Sequence, residues 1–177
     1  MFCSWSYSSP SIFPENALAF SVGYGENVGA ILKGEISLPS RYWDNSVHLE
    51  VYTKSFDDLE DDWGIRLSGN ALIFPAIGTT PPLGLGLGAD IGYEDESINF
   101  HAGPVVGTDL LFNLDLPATV SAYLGAGYRG GEGFSVAWSG ELRYYLEDIE
   151  LGEGILVLEL ATSDILPVSL GLRWSFY

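Results

Sequence analysis

The chain has 177 residues, 47% apolar and 14% aromatic, with 22 glycines and a net charge of −17. That composition excludes a disordered body, and without a basic stripe to meet phosphates it excludes nucleic acid as a partner. No apolar run approaches the roughly 18 residues of a spanning helix, and the strong period is two, so the chain reads as a single all-β domain.

Residues 1–16 come first and alternate Cys3, Trp5 and Tyr7 with Ser4, Ser6 and Ser8. They are read as an N-terminal tail, with a lumen plug or a further short strand as alternatives. They lack the basic start and apolar core of a secretion signal, so an exported protein would have lost its signal or carry it upstream. Cys3 is the only cysteine, which excludes an intramolecular disulfide. The domain proper, 17–177, divides into strands at 17–24, 28–38, 46–56, 63–74, 83–93, 98–112, 118–128, 134–146, 154–162 and 167–177. These lengths match the roughly 9–11 residues that a tilted strand needs to cross a bilayer. Short connections make neighbours antiparallel hairpins. The expected fold is a transmembrane antiparallel up-and-down β-barrel of about ten strands, with eight as the smaller alternative.

Each strand has two unlike faces. One reads Leu18, Phe20, Val22, Tyr24, or Leu83, Leu85, Leu87, Ala89, Ile91, Tyr93. The other holds Gly84, Gly86, Gly88, Gly125, Gly127 and the strand charges Lys33, Glu35, Glu50, Lys54, Arg66, Glu141, Arg143, Glu159 and Arg173. Those nine are expected to form a salt-bridged network lining the lumen, either as a plug or as the wall of a narrow pore for small polar solutes. A soluble lipocalin-like barrel alternates too, with its apolar face inward around a ligand. Small residues on the charged face, near balance of its charges, and aromatics at strand ends favour lipid on the outside. The interfacial aromatics are Tyr24, Trp63, Tyr93, Tyr128, Trp174 and Phe176, while Trp138 sits mid-strand and breaks the pattern.

Connections fall into a Pro-marked kind (Pro39, Pro75, Pro117) and an acidic or Gly-rich kind (Gly25-Glu26-Asn27, Glu94 to Ser97, Arg129 to Gly133), as if the two ends faced different compartments. Asp164-Ile165-Leu166-Pro167 mixes both. Pro104 cannot donate a ladder hydrogen bond, so a bulge or break is expected near Gly103-Pro104. The acidic run Asp57-Asp58-Leu59-Glu60-Asp61-Asp62 could hold Ca²⁺ or Mg²⁺ against anionic headgroups, although a solvated charge run is the simpler reading.

The run Val168-Ser169-Leu170-Gly171-Leu172-Arg173-Trp174-Ser175-Phe176-Tyr177 resembles the closing strand of bacterial outer-membrane β-barrels. That family ends on an aromatic residue after alternating apolar positions; here the alternation runs through Phe176, with Tyr177 one step beyond. Leu114-Asp115-Leu116-Pro117 before a strand is similar to a periplasmic hairpin of small OmpA-like barrels. The resemblance implies a bacterial outer-membrane location, both chain termini on the periplasmic side, and outer-membrane lipids and the barrel-assembly machinery as partners. It carries over no catalytic residue. Some such barrels are lipid-modifying enzymes, which makes His48 and His101 candidates. The meander puts them toward opposite ends, and no nucleophile elbow or metal-spaced pair is present. No catalytic residue, metal or cofactor is therefore assigned.

Overall fold

A sheet with one polar face can hide that face from an apolar surrounding by closing on itself. The computed structural model, which describes residues 16–25, 27–39, 44–57, 62–73, 83–110, 116–151 and 154–176, does so with ten strands. They are β1 (Asn16–Tyr24), β2 (Val28–Pro39), β3 (Asp44–Thr53), β4 (Trp63–Ile73), β5 (Leu83–Glu94), β6 (Ser97–Asp109), β7 (Ala118–Arg129), β8 (Gly133–Leu151), β9 (Gly154–Ser163) and β10 (Val168–Phe176). Each pairs antiparallel with its sequence neighbours, and β10 returns to β1, so the barrel is closed and up-and-down. The tail at 1–15, residues 58–61 of the acidic run and Tyr177 lie outside the described residues.

Tight turns make this meander possible. Asp95 and Glu96 join β5 to β6 with φ of 49° and 58°, the mirror-image turn whose twist matches the flanking strands. Gly131 and Gly133 take φ of 84° and 91° between β7 and β8, where a side chain would be strained. The end of the barrel bearing these turns is called the mouth. The end bearing Asn16 and Phe176, which pair with each other, is the base.

One local expectation holds in part and another is corrected: of the bulge or break expected near Gly103-Pro104, the break occurs, since neither residue is paired in the β6–β7 ladder. Pro104 introduces no bulge: β5 pairs Leu87 with Pro104 in an unbroken ladder, and β7 keeps one register on either side of it. The imino acid leaves a gap in the β6–β7 ladder and nothing more. The irregularity falls instead between β8 and β9, where the register shifts between Leu146 and Glu150, and β8 runs on to Leu151 rather than stopping at Leu146.

The apolar phase faces outward along the barrel. Leu87 is 71% exposed and Phe134 76%, whereas Arg173 is fully buried. Tyr24, Trp63, Tyr93 and Tyr128 stand on the outer face near the mouth, with Trp63 and Tyr93 rings 6.1 Å apart. Trp174 and Phe176 stand near the base, 4.8 Å apart. Trp138 is exposed on the outer face at mid-strand. The interior holds ions, hydroxyls and glycine, with a minority of apolar side chains such as Ala19, Val105 and Val157.

Candidate functional site

Adjacent strands first bring Lys33 and Glu50 together, because they are rung partners on β2 and β3. Closure adds partners from across the hollow. Lys33 Nζ lies 4.0 Å from Glu50 and donates to Glu141 Oε2 at 3.4 Å, on a strand four places away round the ring. Arg143 donates from Nη2 to Glu141 Oε2 at 3.0 Å and to Glu35 Oε2 at 3.3 Å, and its Nε also meets Glu141. Arg173 Nη2 donates to the same Glu35 oxygen at 2.7 Å, and its Nε donates to Ser175 Oγ at 3.1 Å. Glu159 stands 3.9 Å from both arginines. Seven of the nine expected residues thus form one buried network. Burying ions costs several kcal/mol each (roughly) unless partners replace water, and here each finds an opposite charge.

Lys54 and Arg66 belong elsewhere, near the mouth. Lys54 meets Glu94, which also accepts from Tyr52 Oη at 2.8 Å and lies 3.6 Å from Arg129. Burial, the largest influence, holds the Lys54 ammonium below its ordinary pKa, with Asp95 pulling the other way. Arg66 on β4 grips Asp164 with two parallel hydrogen bonds, at 3.1 and 2.7 Å. Such a fork is the strong geometry for an arginine and a carboxylate. Asp164 follows β9, which lies diametrically opposite β4 in a ring of ten.

The β9–β10 connection reaches inward because Ser163 folds it. Ser163 Oγ accepts from the backbone N–H of Ile165 at 3.2 Å and of Leu166 at 3.1 Å, and Ser163 N–H donates to Leu166 O at 3.1 Å. This serine turn carries Ile165 and Leu166 under the mouth, where they are buried against Tyr52 and Ile31. The mixed character of Asp164 to Pro167 in the sequence is that of a roof. Read as a connection, it concealed Asp164 as a lumen residue.

Both histidines face inward, but not at opposite ends. A rung perpendicular to the strands passes through Glu35, His48, Ser68, Asp90, His101, Gly127 and Ser135. Three strand spacings separate the histidines, about 14 Å along the wall, and each has its own partners. His48 Nε2 meets Ser46 Oγ at 2.7 Å and Asn70 Nδ2 at 3.3 Å, with Nδ1 3.2 Å from Glu35. His101 Nδ1 meets Asp90 Oδ1 at 2.9 Å, and Nε2 meets Ser135 Oγ at 2.8 Å. Tyr123 Oη donates to Asp90 Oδ2 at 2.8 Å. Tyr52 and Tyr123 occupy the charged phase of their strands, a legible signal that the search for ions passed over.

Among the described residues the hollow keeps two small cavities, about 110 and 90 Å³, which share Lys33, Glu50, Ser68, Tyr123, Ser139 and Glu141. A water claims about 30 Å³ in the liquid, so each has room for a few. The larger cavity reaches Gly88 on β5, and the smaller one reaches Ser21, Ala161 and Ser169 beneath the inward-folded turn. No family model matches this closed ten-stranded barrel with its buried ionic lumen, and no curated protein matches it.

Proposed function

We propose that the chain is a transmembrane barrel of a bacterial outer membrane, structural in role, whose lumen is held shut by ion pairs and an inward-folded turn. The carrying observation is the inversion of faces: Leu18, Leu87, Leu124 and Leu172 are exposed while Glu35, Arg143 and Arg173 are buried. Water would reward the opposite arrangement, whereas acyl chains suit this one. Aromatics near both ends of the outer face support the same reading. In this reading lipids and the barrel-assembly machinery are its partners, and the rim acids are available to divalent cations.

Heat-modifiable migration and Leu87→Arg together test it. An unboiled membrane barrel runs as a compact band that shifts on boiling. Leu87 lies mid-strand on β5, where an arginine facing hydrocarbon costs about 2–4 kcal/mol in vesicles. A protein that stays in the aqueous phase without detergent, and is indifferent to Leu87→Arg, is not in a membrane.

A second reading, slow passage of small polar solutes, rests on the two cavities sharing a wall of polar residues. Single-channel recording in a planar bilayer separates the two. A closed structural barrel gives no steps, and Asp164→Ala, which frees Arg66 and the roof, opens them.

A further inference from the structure

Two serine–histidine–carboxylate groups line the lumen, and the direction of their protons sets them apart. In the first, Ser46 Oγ donates to Asn70 Oδ1 at 2.8 Å, so its proton is already committed away from His48. Its carboxylate, Glu35, serves Arg143 and Arg173. In the second, Asp90 takes a proton contact from Tyr123 on one oxygen and from His101 Nδ1 on the other. A carboxylate only accepts, so Nδ1 carries the ring hydrogen; in the neutral imidazole Nε2 then offers its lone pair. Ser135 Oγ, 2.8 Å from Nε2, is the group that donates to it.

We propose that Ser135, His101 and Asp90 form a hydrolytic site on the lumen wall below the mouth, acting on small uncharged or cationic carboxylic esters. Ser135 is the nucleophile and His101 the general base; Asp90 is a positioning residue that fixes the ring and its tautomer. The fold supplies the reach. His101 on β6 must pass over β7 to meet Ser135 on β8, and the residue it crosses is Gly127, its rung partner and that of Ser135. A Cβ there would strike the backbone of Phe100 and His101. Gly125 likewise leaves space for the Tyr123 ring that anchors Asp90.

Access and charge define the substrate class. Ser135 is the third residue of β8 counted from the mouth and is only half-buried, while His101 and Asp90 are buried. Asp95, Glu96 and Glu132 are exposed on that rim and repel anions. Arg129, two residues nearer the mouth than Gly127, is held by Glu94, Asp95 and Glu132, so this rim offers an anionic substrate no free cation. In the reaction Ser135 Oγ bonds to the ester carbonyl carbon as its proton passes to His101 Nε2. The alcohol leaves with that proton as the C–O bond breaks. Water then attacks the acyl-serine, its hydroxyl going to the acid and its proton returning through Nε2 to Ser135.

The test uses the full chain folded in detergent, with heat-modifiable migration confirming the fold of each variant. Diisopropyl fluorophosphate is expected to give one adduct, mapped by mass spectrometry to Ser135 and absent from Ser135→Ala. Hydrolysis of p-nitrophenyl acetate should fall about 10²–10⁴-fold in His101→Ala, and Ser46→Ala should leave it unchanged. Asp90→Asn should lower kcat with KM preserved and flatten the rise of rate with pH. Absence of an adduct on Ser135 in folded protein overturns the proposal, as does a hydrolysis rate unchanged in Ser135→Ala.

Discussion

The two walls of the lumen solve one problem in different ways. From β8 through β10, and on β2 and β3 beyond the small inward residues of β1, the wall carries long ions, and each finds its counter-charge, some of them across the hollow: Lys33 with Glu141, Arg143 and Arg173 with Glu35. From β5 to β7 the inward positions are rich in glycine, most of all on β5, and the polar side chains lie along the wall instead, His101 over Gly127 and Tyr123 over Gly125. The first wall holds the barrel together by spanning it. The second leaves room, and the hydrogen bonds there are directional and between neighbours. Mutual charge gives rigidity; missing side chains give space in which a proton can be aimed.

The steepest contrast should come from Glu35→Ala. It takes from Arg143, Arg173 and His48 the carboxylate they share, leaving the arginines Glu141 and Glu159, and removing one partner of a buried charge group costs about 3–5 kcal/mol. The urea midpoint, followed by tryptophan fluorescence, should drop accordingly; an unchanged midpoint would mean the charged wall does not act as a unit. At the roof, Leu166→Ala removes a buried side chain packed on Tyr52 and should cost about 2–4 kcal/mol, read the same way. On the glycine wall, Gly127→Val forces a side chain into the Phe100 backbone and should cost about 1–3 kcal/mol. It should also part His101 from Ser135, visible as a shift of the His101 ring resonances. Mildest is Arg129→Ala: its partners Asp95 and Glu132 are exposed, and its buried partner Glu94 keeps Lys54 and Tyr52, so the midpoint should move by less than about 1 kcal/mol.

The faces and strands were legible because alternation is a local property. Leu87 outward and Arg173 inward follow from period two alone, and the Lys33–Glu50 pair from a two-strand hairpin. Contacts across the hollow were not, since Lys33 meets Glu141 only after ten strands have closed with one particular stagger. The Asp90–His101–Ser135 group was hidden for the same reason. Its members sit on β5, β6 and β8 with no shared motif, and meet because one rung of the sheet passes through all three. Asp164 was obscured differently. Its neighbours Ile165, Leu166 and Pro167 are ordinary for a surface turn, and the inward fold depends on the Ser163 hydroxyl. Pro104 taught the converse lesson, that a missing donor can be absorbed by two absent pairings, at Gly103 and Pro104, without displacing the ladder.

The β1–β10 seam has a bearing on how the molecule is made. Every other join links spans that emerge one after the other, but this one marries Asn16 to Phe176 and Tyr24 to Val168. Until the tenth span arrives, two unsatisfied ribs stand open and invite pairing with another molecule. Completion is therefore late and all-or-nothing, and a product lacking β10 should clump rather than settle for a smaller cylinder.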